Sequence, residues 1–502
     1  MKQHTLLHIA LFTGMFCASP LAKAADSWNS ALTESKNWDT ADWTKNGLLQ
    51  PTGTYPAASD DLVSLSSSGG DTYLHLNGNR TFDTLEATSG IVRIRSGRIG
   101  GNGSALLTVN TIRVTGGTLS LHNRNASSPL TVHTGQVNLS GGDLALGLYN
   151  STGSPYITTF TVSGSTTIGA DRTLGITHPL FTSISLGAVS NDGTLDLAWT
   201  STAAGSDAFT SMQPYVVEVA SLSSTSGMGK ITTTVSAAGV APRPTLLIKG
   251  NDISTVFNGV IEDGVATASL AIKKEGNSVQ RFNKADGNTY SGGTEISGGI
   301  LTAQNASGGS AFGTGAIAVK NGGTLAAYYR MRIELGDGHS VTVEDGGTLS
   351  AGYGGTPAIA TLTLSGASNG TASTLIMEEG AAFSFRLDPL NERSDRIAFT
   401  EYTAGDLLLN ANAVNVTGLD DVGSWQLFSF DADVSGEAWW NNDSLVLGTG
   451  FGQWAGLASF RYENNGIYLD VVPEPGTTAL LVLVLGGGIA LKLRSRFSRA
   501  TV

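Results

Sequence analysis

Cysteine and charged residues are both scarce in this 502-residue chain. The single cysteine, Cys17, lies in an apolar run near the N-terminus, so the rest of the chain has no disulfide or thiol chemistry. Charged residues make up 14% of the sequence, against a usual ~25%. With 29 basic and 41 acidic residues, the net charge is −12. Nucleic-acid phosphates require clustered lysine and arginine, so this balance argues against a nucleic-acid partner.

Glycine is the residue that the chain has in excess. Its 65 glycines are nearly twice the usual share of ~7%. Hydrophobic residues reach 40% and alternate regularly with polar ones, which disordered chains do not show. The composition therefore indicates an ordered all-β fold that is rich in turns.

One short phrase recurs in the middle of the chain, as EISGGILTA, IAVKNGGTLAA and VTVEDGGTLSA. Its second glycines are Gly299, Gly323 and Gly347, which are spaced by 24 residues and again by 24. A fixed interval of this size is typical of a repeat architecture. The turn glycines of this region are Gly292, Gly293, Gly298, Gly299, Gly322, Gly323, Gly346 and Gly347.

The alternation around each glycine pair predicts a strand, a tight turn and a second strand. Ile317 and Val319 should face one way, and Leu325 should resume the apolar face after the turn. A unit this small cannot bury its own apolar face, so it must stack on its neighbours as a β-solenoid with parallel pairing. Antiparallel hairpins in a sandwich remain the alternative, because Gly-Gly is also a hairpin turn signal.

The N-terminal residues 1–24 are typical of a secretory signal peptide. A lysine precedes an apolar stretch, and Ala22 and Ala24 form a small-x-small cleavage site. Residues 25–71 carry Trp28, Trp38 and Trp43, which we interpret as an aromatic-rich β cap over the end of the stack. Sugar binding by these tryptophans is the alternative.

Residues 72–350 are predicted to form the repeats, with a looser stretch between Trp199 and Pro244 that predicts a longer loop or a loosened coil. Residues 351–472 have longer apolar alternations and four tryptophans, which predict further coils and a C-terminal aromatic-rich β cap.

Residues 473–502 have three parts in a fixed order. Pro473, Glu474 and Pro475 come first, and an apolar run over 479–491 predicts a short transmembrane helix. A basic tail then predicts a cytoplasmic C-terminus, and plain membrane anchoring is the alternative interpretation. The basic residues of the tail are Lys492, Arg494, Arg496 and Arg499.

Two parts of the chain resemble known families. The segment NTYSGGTEISGGIL, within residues 245–325, resembles the autotransporter-associated β-strand repeat. Residues 473–502 resemble the PEP-CTERM sorting signal. The first resemblance implies a right-handed parallel β-helix at the bacterial surface or outside the cell. The second implies an exosortase-type membrane enzyme as the processing partner.

Candidate chemistry is sparse in the sequence. The histidines have no ligand spacing, and the charged cluster that contains Arg386 and Asp395 suits a calcium site, a carboxylate pair or a solvated turn with surface ion pairs, which we favour. We therefore expect no catalytic residue, no metal site and no cofactor. The histidines singled out are His75, His122, His133, His178 and His339, and the cluster is Arg386, Asp388, Glu392, Arg393, Asp395 and Arg396.

The sequence as a whole predicts an exported, surface-sorted protein with a structural or adhesive role in an extracellular polysaccharide matrix. We expect it in the cell envelope or outside the cell, anchored transiently in the membrane by its C-terminus. The alternative is a polysaccharide lyase or hydrolase, because parallel β-helices also carry such enzymes.

Overall fold

The structure is a computed structural model of the chain. It describes residues 26–56, 61–68, 73–97, 103–123, 129–148, 159–176, 183–199, 214–234, 242–251, 253–305, 308–334, 340–353, 359–365, 374–401, 407–433, 440 and 443–472. The predicted signal peptide with Ala22 and Ala24, and the predicted sorting signal with Pro473, Glu474, Pro475 and its basic tail, lie outside these residues and stay predictions.

The described residues form β-strands joined by turns, with three single-turn 3-10 helices (Trp38–Thr40, Pro389–Asn391 and Gly452–Trp454) and no α-helix. The first strands are β1 (Ser27–Leu32), β2 (Lys36–Asn37), β3 (Thr44–Lys45), β4 (Leu48–Leu49), β5 (Leu62–Ser67), β6 (Tyr73–Leu76), β7 (Arg80–Ser89), β8 (Ile91–Ser96), β9 (Ala105–Val114), β10 (Gly117–Asn123), β11 (Leu130–Leu139), β12 (Gly142–Leu148), β13 (Thr159–Ile168), β14 (Thr173–Ile176), β15 (Ser183–Ser185), β16 (Ala188–Asn191), β17 (Thr194–Asp196), β18 (Tyr215–Val219), β19 (Ser221–Ser223), β20 (Lys230–Thr232), β21 (Pro244–Ile248), β22 (Thr255–Phe257) and β23 (Val260–Ile261). They are followed by β24 (Ala271–Lys274), β25 (Val279–Phe282), β26 (Thr294–Ile296), β27 (Gly299–Ala303), β28 (Ile317–Val319), β29 (Gly323–Ala327), β30 (Arg330–Glu334), β31 (Val341–Val343), β32 (Thr348–Ser350), β33 (Thr361–Ser365), β34 (Leu375–Met377), β35 (Ala382–Asp388), β36 (Arg393–Ser394), β37 (Arg396–Thr400), β38 (Leu407–Leu408), β39 (Asn412–Thr417), β40 (Gly423–Phe430), β41 (Leu445–Leu447), β42 (Ala458–Glu463) and β43 (Gly466–Val471).

These strands form four sheets, in which parallel pairing dominates. The long sheet has 19 strands and runs from β1 to β38. The second sheet runs from β2 to β23 and the third from β22 to β41, each with nine strands. The fourth sheet has six strands, from β30 to β42. The fold class is therefore all-β, as the composition predicted, and its long parallel sheets agree with the pairing predicted from the repeat.

Successive 24-residue repeats pair strand by strand. In the long sheet, β26 pairs in parallel with β28 and β28 with β31; in the third sheet, β27 pairs with β29 and β29 with β32. Leu301 lies opposite Leu325, and Leu325 opposite Leu349. The two strands of one repeat are not paired with each other, so the antiparallel hairpin alternative is wrong for this segment.

The inward positions follow the predicted alternation. Ile317, Val319 and Leu325 are buried, whereas Ala318 and Lys320 on the opposite face are partly exposed. Buried apolar side chains of all four sheets join into one continuous cluster. Each fully buried leucine contributes about 2 kcal/mol relative to its exposure to water, so the stacked columns of leucine are a main source of stability.

The chain changes its path in the middle. Up to β21 it alternates between the long and the second sheet; beyond β24 it alternates between the long and the third, and the fourth joins at β30. The buried side chain of Gln280 bridges this change: its Nε2 donates to the Leu222 carbonyl oxygen (3.0 Å) and its Oε1 accepts from the Leu222 N–H (3.2 Å). The amide thereby pairs two buried backbone groups of β19.

Antiparallel hairpins lie at both ends of the described chain. The hairpin β3–β4 pairs through β3 with β1, which itself pairs in parallel with β5. The hairpin β42–β43 pairs through β43 with β40. Near the first hairpin, Trp38 and Trp43 are fully buried with ring centroids 4.9 Å apart, and β40 buries Trp425.

The stretch predicted as a loop or a loosened coil contains three regular strands. β18, β19 and β20 pair in parallel with β15, β16 and β17. The loop interpretation is therefore wrong for residues 214–234, because these short strands lack the glycine-pair turn that marks strands of the same length in the 24-residue repeats. Residues 200–213 and 235–241 lie outside the described residues.

Candidate functional site

The second glycine of each repeated turn faces the backbone of the preceding repeat. A Cβ built on Gly323 would lie 2.2 Å from the Ile296 carbonyl oxygen, and one on Gly347 would lie 2.6 Å from that of Val319. The corresponding distance from Gly299 to the Gly276 carbonyl oxygen is 2.5 Å. No side chain fits at such distances, so these positions permit close stacking of the repeats.

The first glycine of the turn has a different task in two of the three repeats. Gly322 and Gly346 have φ angles of +79° and +71°, a region that other residues rarely adopt. Gly293, before β26, has φ = +86°, and a Cβ on Gly292 would lie 2.5 Å from the Leu270 carbonyl oxygen. Among the predicted turn glycines only Gly298 has neither a positive φ nor a contact under 3 Å.

The segment Asn288–Thr294, which carries the family resemblance, is bound into its neighbours. Asn288 accepts from the Ile261 N–H (2.9 Å) and donates to the Ala311 carbonyl oxygen (2.7 Å). Tyr290 is fully buried and its hydroxyl lies 2.7 Å from that of Thr294. These side chains join three successive layers of the stack, and their polar groups are engaged in doing so.

The same segment is tied to an earlier turn through Asp263. The Ser291 hydroxyl donates to Asp263 Oδ2 (2.6 Å), and the Leu270 N–H donates to Oδ1 (2.9 Å). A serine hydroxyl that is hydrogen-bonded to a carboxylate can be part of a catalytic site. Here the carboxylate orders the loop, and both of its oxygens are occupied.

The charged cluster at β35–β37 is not only a solvated turn, and our interpretation of surface ion pairs is wrong for its central pair. Asp395 is fully buried, and Arg386 donates to its two carboxylate oxygens from Nε (2.7 Å) and Nη2 (2.8 Å). The Ala360 N–H adds a third bond (2.7 Å). The pair has room because residue 352 is glycine: a Cβ there would lie 2.2 Å from Asp395 Oδ2.

Two of the histidines come together on the second sheet, where both are fully buried. Arg95 pairs in register with both His75 and His122, and its guanidinium donates to His75 Nε2 (3.1 Å from Nε). Neither ring nitrogen of His122 has a hydrogen-bond partner among the described residues. Burial, followed by the charges of Arg95 and Arg93, lowers the pKa of His122 to about 3, so the ring is neutral.

The other histidines add no ligand set. His133 is exposed on the long sheet, and His178 and His339 lie outside the described residues. No group of three histidine, cysteine or acidic side chains could hold a metal ion within the described ranges. The sequence could not bring His75 and His122 together, because only the register across β8 shows that they flank one arginine.

Two aspartates four residues apart have pKa values shifted in opposite directions. Burial raises the pKa of Asp196 to about 6, although its carboxylate accepts from the Ala198 N–H (3.0 Å). For Asp192, burial also acts to raise the pKa, but hydrogen bonds from Ser226, Thr225 and Ser224 outweigh it and lower the pKa well below its usual range. Charged Asp196 therefore costs stability, and charged Asp192 contributes it.

This contrast predicts a pH dependence of unfolding. Between pH ~4 and ~6 the folded state keeps the Asp196 proton and the unfolded state loses it, so this carboxyl lowers the free energy of unfolding as the pH rises through that window. We expect Asp196→Asn to be about 2 kcal/mol more stable than the wild type at pH 7.5 and equal to it at pH 4. Urea unfolding at the two pH values measures this. Asp192→Asn is the control, and it should lose stability at pH 7.5; a loss in both variants would contradict the assignment.

Two open grooves lie on the outer face of the long sheet. One, of about 560 Å³, is lined by polar side chains that include Asn29, Ser64 and Glu86. The other, of about 480 Å³, is lined by Ala271, Lys273 and Glu295 among others. Lys273 lies between Glu275 (3.0 Å) and Glu295 (3.1 Å), and hydrogen bonds to both raise its pKa, so it is charged and a poor general base.

The comparisons with known proteins give no family. No protein-family model matches the chain, and comparison with curated proteins finds none that matches it. In the part of the chain that the structure describes, no helix is long and apolar enough to cross a membrane. The apolar run over 479–491 lies outside that part.

Proposed function

We propose that the parallel sheets form a right-handed parallel β-helix that is capped at both ends. The parallel register from repeat to repeat supports this, as does the alternation of the chain between the long sheet and its partner sheets. The antiparallel hairpins at β1 and β40 support the caps, because each protects a terminal strand from pairing with another chain. The hand of the coil comes from the family resemblance.

The function that best fits this architecture is that of an exported, surface-sorted structural or adhesive protein. The observation that carries the proposal is the binding of Asn288, Tyr290 and Ser291 into neighbouring layers, because the most distinctive motif of the chain thereby serves stacking. The signals at residues 1–24 and 473–502 supply export, transient anchoring and processing by an exosortase-type enzyme. The extracellular polysaccharide matrix is the proposed destination.

Cell fractionation with intact-mass measurement tests the sorting. We expect the native chain in the envelope or extracellular fraction, with a mass that lacks both terminal signals. Replacing Pro473, Glu474 and Pro475 by alanine should leave the protein in the membrane with its C-terminal segment retained. Alanines at Thr477 and Thr478 serve as the matched control and should not change sorting. A full-length mass in the cytoplasm would contradict the proposal.

An activity screen separates this function from that of a polysaccharide lyase or hydrolase. The exported protein is incubated with acidic and neutral polysaccharides, and reducing ends and unsaturated uronates are measured. We expect neither product. Turnover that persists through purification would overturn the structural role.

A further inference from the structure

A group of tyrosines and arginines lies where the third sheet passes to the fourth. Tyr328 and Tyr329 form the turn between β29 and β30, and Tyr353 follows β32 of the next repeat. The Tyr328 and Tyr353 ring centroids are 6.5 Å apart. The guanidinium carbon of Arg281, from β25, lies 3.8 Å from the centre of the Tyr328 ring. We call Arg281, Tyr328, Tyr329, Arg330 and Tyr353 the tyrosine–arginine patch.

Tyr329 has a strained backbone, and its ring adds nothing to the apolar core that would offset the strain. Its φ is +100°, which is outside the regions that a bulky L-residue adopts without cost. The residue is 39% exposed and is not part of the apolar core. Glycine at this position would relieve the strain, and the ring that it removes lies outside the apolar core.

Neighbouring layers hold this conformation in place. The Thr361 N–H donates to the Tyr329 carbonyl oxygen (2.8 Å), and the Asn305 N–H donates to that of Arg330 (3.2 Å). Such over-determined strain is characteristic of binding sites. A partly exposed ring outside the apolar core, on a backbone that neighbouring strands hold in place, is preorganised for contact with a partner.

The arginines of the patch are not neutralised by acidic side chains. Within the described residues, Arg281 and Arg330 form no ion pair, whereas Arg332 on the next outward position is bound to Glu334 (2.9 Å). Arg281 Nε is buried without a hydrogen-bond partner, and the Arg330 guanidinium lies 5.5 Å from the centre of the Tyr329 ring. Arg281 and Arg330 therefore place positive charge beside aromatic faces on a chain whose net charge is −12.

We propose that the tyrosine–arginine patch binds an acidic polysaccharide, with sugar rings stacked on the tyrosines and sugar carboxylates paired with Arg281 and Arg330. Tyrosine offers both an apolar face and a hydroxyl, which suits a sugar ring, and arginine pairs with carboxylates through two parallel hydrogen bonds. Single-stranded nucleic acid also stacks on aromatic rings, but it needs a long cationic track that this acidic chain does not provide. The inference deepens the proposed function, on which it rests for the presence of such a polymer around the protein.

The test compares two variants in which glycine relieves a positive φ. The full chain, kept in mild detergent, is titrated with polygalacturonate, dextran and single-stranded poly-dT. We expect the wild type to bind polygalacturonate and neither other polymer, and binding to weaken with salt. Tyr329→Gly should lose at least tenfold in affinity while its unfolding temperature stays equal or rises. Ala411→Gly, at an exposed residue with φ = +51°, is the matched control and should bind like the wild type.

Several outcomes would overturn the proposal. Unchanged binding by Tyr329→Gly would show that the tyrosine–arginine patch is not the binding site. A lowered unfolding temperature would show that the ring stabilises the fold. Equal binding of dextran would show that the arginines do not contribute to binding. Preferential binding of poly-dT would show that the patch binds nucleic acid. An exported protein that binds no polygalacturonate contradicts this inference alone, whereas a cytoplasmic protein contradicts the proposed function.

Discussion

Asparagine at position 323 should destabilise the protein severely, and asparagine at the adjacent position 322 should not. A Cβ at Gly323 would lie 2.2 Å from the Ile296 carbonyl oxygen, so two repeats would have to separate. We expect Gly323→Asn to cost about 3 kcal/mol in the free energy of unfolding. Gly322 has a φ of +79° but no atom within 4 Å of its Cβ position, and asparagine tolerates this backbone region. Its replacement should cost less than about 1 kcal/mol.

Urea unfolding followed by circular dichroism measures both changes. Because the new residue is the same, the comparison separates the need for space at Gly323 from the need for a left-handed backbone at Gly322. Equal losses at the two positions would show that conformation, and not close stacking, sets the cost. A small loss at Gly323 alone would contradict the parallel stacking of β26 and β27 against the next repeat.

The second large effect is expected at the buried ion pair. Asp395→Asn keeps the size of the side chain but leaves the mostly buried guanidinium of Arg386 without its counter-charge. Removing one partner of a buried pair typically costs about 3–5 kcal/mol. We expect a loss in this range in urea unfolding, with part of it recovered in the double variant Arg386→Met/Asp395→Leu, where neither charge is left unpaired.

The control for this experiment is an exposed pair of the same sheet system. Glu295, whose side chain is 41% exposed, contacts Lys273 at 3.1 Å. Glu295→Gln should cost less than about 1 kcal/mol, because water screens the pair and the lysine keeps its second partner, Glu275. If the double variant at Arg386 and Asp395 were as unstable as Asp395→Asn, the cost would come from packing and not from the unpaired charge.

The repeat interval and the alternation were readable from the sequence because they are local and regular. The 24-residue spacing of Gly299, Gly323 and Gly347 predicted which strands would lie side by side, and the parallel register confirms it. The inward positions Ile317 and Val319 followed from the period of two alone. Each prediction needed only neighbours in the chain and the requirement to bury a small apolar face.

Features that depend on distant residues were not readable. The burial of Asp395 depends on the space left at Gly352, 43 residues earlier, and the sequence shows only a dense run of charges around it. The pairing of Gln280 with Leu222 lies at a change of path that no local sequence pattern indicates. The candidate site at Tyr329 is indicated by its positive φ angle, and a Tyr-Tyr pair in the sequence gives no indication of that angle.

The hairpins at β3–β4 and β42–β43 have a consequence for how such a chain varies between lineages. Each interior repeat contacts the layers before and after it, and the hairpins pair with β1 and β40 whatever number of layers lies between them. In-frame duplication or loss of a 24-residue unit by recombination between Gly299 and Gly347 joins surfaces that already fit. The number of repeats, and with it the length of the molecule, can therefore change in a single genetic step without a change in how the core packs.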